Sequence, residues 1–408
     1  MRHCLGVVLV LLGLVSFGEQ ASAGKAGPEF RVNTTPAQGL KAAPSVAALT
    51  NGGFVATWTS GARVYAQRYS AAGIRVGGEF RVSLTISAPG HTEWNAVTAG
   101  LNNGGFVVVW NGWNGGPELR GRCFSATGAH VGSEFVVSRT PWREFYSDAS
   151  VARLNNGDFV IAWHTDLRDA YHNYIGDGIH GQRYSGTCTP IGSRFTAVAR
   201  GALFNINFGV PSVAGLANGG SVIVWNSLRQ DGSDFGVSGQ RYDAMGVAVS
   251  GNFQVNSYTN GYQGKPSLAA LSNGGFVVIW QSDAQDGSNW GIYGQRYSVM
   301  GAPVGGEFRI NTFRQGAQLQ PSVVGLTDGG FVATWTSTGQ DGSADGIFGR
   351  RYNAAGGPIT GEFRVNTFTQ GKQNDPSVAG LNNSGFVVVW ESKSQDGIYG
   401  QRFQPDVD

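Results

Sequence analysis

One octet recurs seven times along this 408-residue chain, and it leaves few folds open. It reads NGGFVATW ending at Trp58, then NGGFVVVW at Trp110, NGDFVIAW at Trp163, NGGSVIVW at Trp225, NGGFVVIW at Trp280, DGGFVATW at Trp335 and NSGFVVVW at Trp390. A fixed period of this kind marks a repeat architecture, so it governs every later assignment. Three other motifs travel with the octet. PSVAGL-type segments precede it, IYGQRY-type segments follow it, and EFRVN-type segments start at Glu29, Glu79, Glu134, Arg194, Asn252, Glu307 and Glu362.

Each repeat thus holds four short runs rich in Val, Ile, Phe and Tyr, separated by Gly, Asn and Pro, with no helical period. The Asn-Gly-Gly between SVAAL and FVATW is a hairpin turn, because it supplies residues that tolerate positive φ. IYGQRY and EFRVN form a second hairpin around a glycine bend. Four antiparallel strands make one sheet, which cannot bury both faces alone, so neighbouring copies must stack. Seven such sheets arranged radially predict an all-β, seven-bladed β-propeller with strands a (PSVAGL), b (FVVVW), c (IYGQRY) and d (EFRVN) in each blade. The 64 glycines fall largely in these turns and bends.

The segment from Glu29 to Asn33 is a spare strand d, and the chain ends just after a strand c at Phe403. The spare strand is therefore expected to complete the last blade and close the ring, which removes an exposed edge. Upstream, residues 1–23 have a basic start, an apolar run from Leu5 to Phe17 and the small-residue pattern Ala21-Ser22-Ala23. That is a secretory signal, too short in its apolar run for a membrane span, and it predicts secretion with cleavage near Ala23. The remaining residues 24–408 read as a single domain.

The formal charge of +2 carries no basic run, which argues against nucleic acid or anionic lipid as a partner. Beyond the signal only Cys123 and Cys188 remain. Export permits a bond between them, but two cysteines are no disulfide framework. The repeated Trp is read as filler between blades. The repeated Arg of QRY lies across the c–d hairpin from the Glu of EF, and an ion pair between them is the simplest expectation.

Function is expected on the face that carries the long, variable d–a and b–c loops, at the mouth of the central channel. Three groups of residues compete for it. The b–c loops repeat a QDG motif with Asp231, Asp286, Asp341 and Asp396. Asp-Gly-Ser is a turn former through its side chain, and calcium coordination is the functional alternative. Aromatic and polar side chains suited to sugar stacking gather in the same loops: Trp94, Trp113, Trp142, Arg143, Tyr171, Tyr174 and Trp290, with Phe235 and Tyr262 among others. Blades 2 and 3 depart most from the repeat and bring Glu144, Asp148, His164, Asp166 and His180, residue types capable of acid–base work. Of these, Glu144, His164 and Asp166 are the catalytic candidates, whereas His180 falls within strand c. No nucleophile elbow, phosphate loop or zinc spacing is present.

The unit NGGFVVVW…QDG…GIYGQRY…VGGEFRVN resembles tandem repeats of large secreted or surface proteins of bacteria, where it often accompanies calcium-binding modules. The resemblance spans nearly all of the chain after residue 23 and implies location more than activity. In fold the pattern is also similar to seven-bladed lectin and integrin-type propellers, which bind glycans or calcium in their loops. This chain lacks the calcium signature of those propellers. The leading expectation is an exported, non-catalytic adhesion-type propeller that recognises a glycan or another extracellular ligand, with calcium its one candidate cofactor. The alternatives are a polysaccharide hydrolase or lyase centred on blades 2 and 3, and a structural interaction scaffold.

Overall fold

The computed structural model describes residues 24–34, 41–83, 92–114, 116–139, 144–168, 174–201 and 209–405. The signal at 1–23 lies outside them. All regular structure described is strand, in seven four-stranded antiparallel sheets. Blade 1 runs Lys41–Ala48, Phe54–Ser60, Arg63–Tyr69 and Arg75–Arg81. Blades 2 to 6 repeat that meander, and blade 7 comprises Gln373–Gly380, Phe386–Ser392 and Gly397–Phe403. Its fourth strand is the N-terminal Phe30–Arg31, paired antiparallel with Phe30 opposite Gly400. The backbone N–H of Val32 donates to Ile398 O at 2.7 Å, and that of Ile398 donates to the Asn33 side chain at 2.8 Å. The ring closes as its repeat pattern requires.

Seven apolar clusters fill the seven gaps between neighbouring blades. Trp58 of blade 1 packs with Val387, Val389 and Ile398 of blade 7, and Trp110 of blade 2 with Val55, Val64 and Ala66 of blade 1. All seven repeated Trp side chains are fully buried, so the ring face of each serves the core and none is open to a sugar. Every gap also holds an aromatic pair made by the Phe of EF and the Tyr or Phe of the next blade's strand c. Phe135 and Tyr184 lie 5.0 Å apart, for example, and Phe30 and Tyr69 5.4 Å. The Gly of IYGQRY is where that Phe lands. A Cβ on Gly181 would sit 2.3 Å from the Phe195 ring, so a side chain there would force the ring to shift; blade 1 carries Ala66 at the equivalent position, opposite Phe80.

The expected ion pair between the QRY arginine and the EF glutamate is not the rule, because each reaches out of its own hairpin to a neighbouring blade. Arg241 donates to Val299 O (2.9 Å) and to Met300 O in the c–d turn of the next blade. Arg68, Arg183, Arg296 and Arg402 make the same reach to Ala126, Ala244, Ala354 and Ala71. The glutamates point the other way. Glu307 accepts from the backbone N–H of Ser257 at 2.7 Å, and Glu79 from that of Thr34 at 2.7 Å. Six serines of strand a form a third, inner set. Ser45 accepts from Thr98 N, Ser150 from Val213 N, Ser212 from Leu268 N, Ser267 from Val323 N, Ser322 from Val378 N and Ser377 from Val46 N, each at 3.1–3.2 Å.

The gap between blades 2 and 3 lacks two of these links. Val97 stands where the serine should be, and Cys123 stands where the arginine should be. There the structure forms a disulfide from Cys123 to Cys188, which sits in the blade 3 c–d turn with a Cα–Cα distance of 6.4 Å. A covalent link thus occupies the place of the arginine latch.

Candidate functional site

Strand a of blades 1, 2, 3, 5, 6 and 7 carries a bulge near its start, between Ala42 and Ser45 in blade 1 and between Asn374 and Ser377 in blade 7. The bulged residue has positive φ in each: Ala43, Asn95, Asp148, Lys265, Gln320 and Asp375. A bulge re-aims a side chain, and here it turns one residue per blade toward the axis. These residues, with Val210 of blade 4, line a cavity of about 480 Å³ at the channel mouth on the d–a/b–c face. That volume suits a small-molecule or sugar-sized ligand.

Behind the wall runs a second polar ring, the residue after each repeated Trp: Thr59, Asn111, His164, Asn226, Gln281, Thr336 and Glu391, all buried. The two rings are hydrogen-bonded to each other. Thr336 Oγ1 donates to Gln320 Oε1 at 2.8 Å, and Gln281 Oε1 accepts from Gln320 N at 3.2 Å.

The charges are unevenly placed. Asp148 of blade 3 accepts from Asn95 Nδ2 at 3.0 Å. Burial raises its carboxyl above the usual range, while Lys265 and His164 pull it back down. Asp375 of blade 7 accepts an amide hydrogen from Gln320 and is likewise raised by burial, against Lys265 and Lys393. Behind it, burial pushes Glu391 from 4.5 up to about 7, with Lys393 opposing and the Asp375 charge adding to the rise. Blades 3 and 7 stand on roughly opposite sides of a seven-membered ring, with Lys265 of blade 5 between them. The mouth therefore holds buried carboxyls of raised pKa on facing sides, Asp375 backed by Glu391 on one and Asp148 on the other, groups able to give and take protons.

His164 belongs to this arrangement, with Nε2 3.4 Å from Asp177 Oδ2 in the blade 3 wall. Asp166 is half-buried in the same strand, opposite Asp177. Glu144 opens strand a of blade 3, opposite Leu167, and Tyr174 opens strand c. Trp94 precedes Asn95 and is half-buried, as are Trp113 and Trp290. Trp142, Arg143 and Tyr171 lie outside the described residues. His180 is a core group: its ring nitrogens lie 2.9 Å from Thr165 and 3.0 Å from Thr196, and burial holds it neutral, its pKa lowered to about 3.

The QDG aspartates are turn-makers in the described blades. Asp231 accepts from Ser233 N at 3.1 Å and Asn256 Nδ2 at 3.1 Å, and Asp341 from Ser343 N at 3.1 Å and Asn366 Nδ2 at 3.3 Å. Asp286 accepts from Ser288 N at 3.1 Å, with Arg309 3.8 Å from its other oxygen. Asp396 receives Arg31 through its backbone carbonyl at 2.7 Å. Among the described residues no three His, Cys, Asp or Glu side chains converge as a metal cluster. Both oxygens of Asp231 and Asp341 are engaged, so excess EDTA is expected to leave the melting temperature unchanged. A fall of more than about 2 °C in calorimetry would reveal a bound cation.

Sequence reasoning missed Glu391, Asp375 and Lys265. The available signal was variation at two columns of a rigid repeat, the residue before Pro-Ser and the residue after Trp.

No family model matches this chain, and no curated protein matches it. Solved structures share its ring. A protein of unknown function from Dyadobacter fermentans superposes with TM-score 0.54 at 13% identity, over 92% of this chain and 98% of its own. The α-L-arabinofuranosidase Arb93A of Fusarium graminearum, in complex with an iminosugar inhibitor, gives 0.51 at 12% identity over 76% and 92%. The Hadza microbial sialidase Hz136 gives 0.50 at 11% over 86% and 73%. At such identities the likeness is one of fold. The expectation of a non-catalytic adhesion propeller is corrected here: the arabinofuranosidase and the sialidase above are enzymes, and the mouth holds buried carboxyl groups of raised pKa that a passive ring does not need. No helix of the described residues is long and apolar enough to cross a membrane.

Proposed function

We propose that the protein is an exported glycoside hydrolase acting on a polysaccharide or oligosaccharide at the channel mouth. The observation that carries the reading is a pair of buried carboxyls of raised pKa, Asp375 and Asp148, on facing sides of a sugar-sized cavity, with Glu391, raised to about 7, buried behind Asp375. The propeller fold shared with an arabinofuranosidase and a sialidase supports it as analogy only.

Asp375, on the cavity wall, gives its proton to the glycosidic oxygen as the C–O bond to the anomeric carbon breaks, and Glu391 behind it, half protonated near pH 7, returns a proton to Asp375. Water adds to that carbon, and its proton passes to the Asp148 carboxylate. Asn95 orients Asp148, whose pKa burial raises, with Lys265 and His164 opposing the rise. Burial holds the proton on Glu391, and the Asp375 charge adds to that hold.

The test is release of reducing ends from arabinan, xylan, galactan, β-glucan and a sialylated glycan. Wild type is expected to cleave at least one of these. Asp148→Asn is expected to lower kcat about 100-fold or more with the fold intact. No cleavage by wild type above the level of the Asp148→Asn/Glu391→Gln double variant would sink the proposal.

A further inference from the structure

Beside the mouth, blades 4 and 5 carry an aromatic shelf. Phe235 and Tyr262 have ring centroids 4.8 Å apart, and Trp290 meets Tyr262 edge-on at 5.3 Å. All three rings are half-buried, each keeping part of its surface open to solvent. Asn226, of the polar ring behind the mouth, donates to Tyr262 Oη at 3.4 Å. The Tyr262 ring lies over Gly264: a Cβ there would be 2.3 Å from Cε1. Gly264 adjoins Lys265, so the shelf is continuous with the cavity wall.

The ring scaffold does not require these aromatics. At the blade 6–7 gap the positions equivalent to Phe235 and Tyr262 are Asp345 and Lys372, which form a partly exposed ion pair at 3.8 Å. Tilted and edge-on rings at one gap and a partly exposed ion pair at another, on the same backbone, point to a role outside folding. Apolar ring faces bordered by amide groups are what a pyranose or furanose stacks on. Among the residues lining the mouth Lys265 is the only cation, against Asp148 and Asp375, which disfavours polyanions.

We infer that Phe235, Tyr262 and Trp290 form a stacking subsite that holds a neutral glycan chain several sugars long, leading it from blade 5 into the channel mouth. The inference rests on the glycoside hydrolase reading for its direction, but its readout does not depend on turnover.

Native gel electrophoresis through debranched arabinan, xylan or β-glucan tests it. Wild type and Glu391→Gln are expected to be retarded equally by at least one of these polymers. Trp290→Ala is expected to lose the retardation and to raise KM for that polymer about tenfold, with kcat and the KM for a short aryl glycoside unchanged. Trp290→Phe, which keeps a ring, is expected to retain most of the retardation. Gly264→Ala, which displaces Tyr262, is expected to weaken it without touching Trp290. Equal retardation of wild type and Trp290→Ala would overturn the subsite, as would no retardation of wild type by any polymer. Retardation without hydrolysis would overturn the glycoside hydrolase reading and leave the subsite standing.

Discussion

Glu391→Gln is expected to abolish nearly all activity while making the protein more stable above pH 7. The loss in kcat is about 10²–10⁴-fold, the usual value of acid catalysis, because Glu391 resupplies the proton that Asp375 delivers. The stability gain follows from the direction of the pKa shift. The folded state raises Glu391 from 4.5 to about 7, so it binds that proton more tightly than the unfolded chain does. Below pH 4.5 both states are protonated and the group is neutral to stability. As pH rises from 4.5 to 7 the unfolded chain ionises first, and the folded state loses stability through that window. Above 7 the buried charge costs on the order of 3 kcal/mol. The Gln variant carries no such cost, so its melting temperature should exceed that of wild type at pH 8 and match it more closely at pH 4. Activity should fall on the alkaline side as the Glu391–Asp375 pair loses its shared proton near pH 7. A Gln variant with wild-type kcat, or a stability gap independent of pH, would remove Glu391 from the acid role.

Reduction of the Cys123–Cys188 bond, or Cys123→Ser/Cys188→Ser, is expected to destabilise the ring by about 4 kcal/mol. The bond closes a loop of 65 residues, and chain entropy alone gives that magnitude. For a chain of this length it corresponds to roughly 5 °C in melting temperature. The loss should concentrate at the blade 2–3 gap, where neither the serine nor the arginine link exists. Hydrogen exchange should therefore quicken first in strand a of blade 3. The pair Cys123→Arg/Cys188→Gly restores the repeat's own latch, aimed at the Gly186 and Thr187 carbonyls, and is expected to recover about 1–2 kcal/mol. An unchanged melting temperature in reductant would mean that the remaining contacts hold the gap unaided.

Most of the fold was legible because a repeat states its own answer seven times. The Asn-Gly-Gly turns, the four short apolar runs of each repeat and the orphan strand at Glu29 forced a closed seven-bladed ring. What stayed hidden crosses between blades. The arginines of QRY looked like partners of the glutamates in their own hairpin, yet both extend to neighbours whose distance no single repeat specifies. The site was hidden for the same reason. Asp148, Lys265, Asp375 and Glu391 lie more than a hundred residues apart in places and meet only around the axis. The attention drawn to blades 2 and 3 found His164 and one wall of the mouth. It missed blade 7, whose departures are an Asp before Pro376 and a Glu after Trp390.

Ring closure also orders events in time. The Ile398–Asn33 bond joins groups 365 residues apart, so strand d of blade 7 must wait until strand c of that blade has been made. Until strand c at Gly397–Phe403 is available, the first strand has no partner and the nascent array keeps an open edge. A chain stopped a dozen residues early would thus lose more than its last strand: it would leave both ends of the array without a seam.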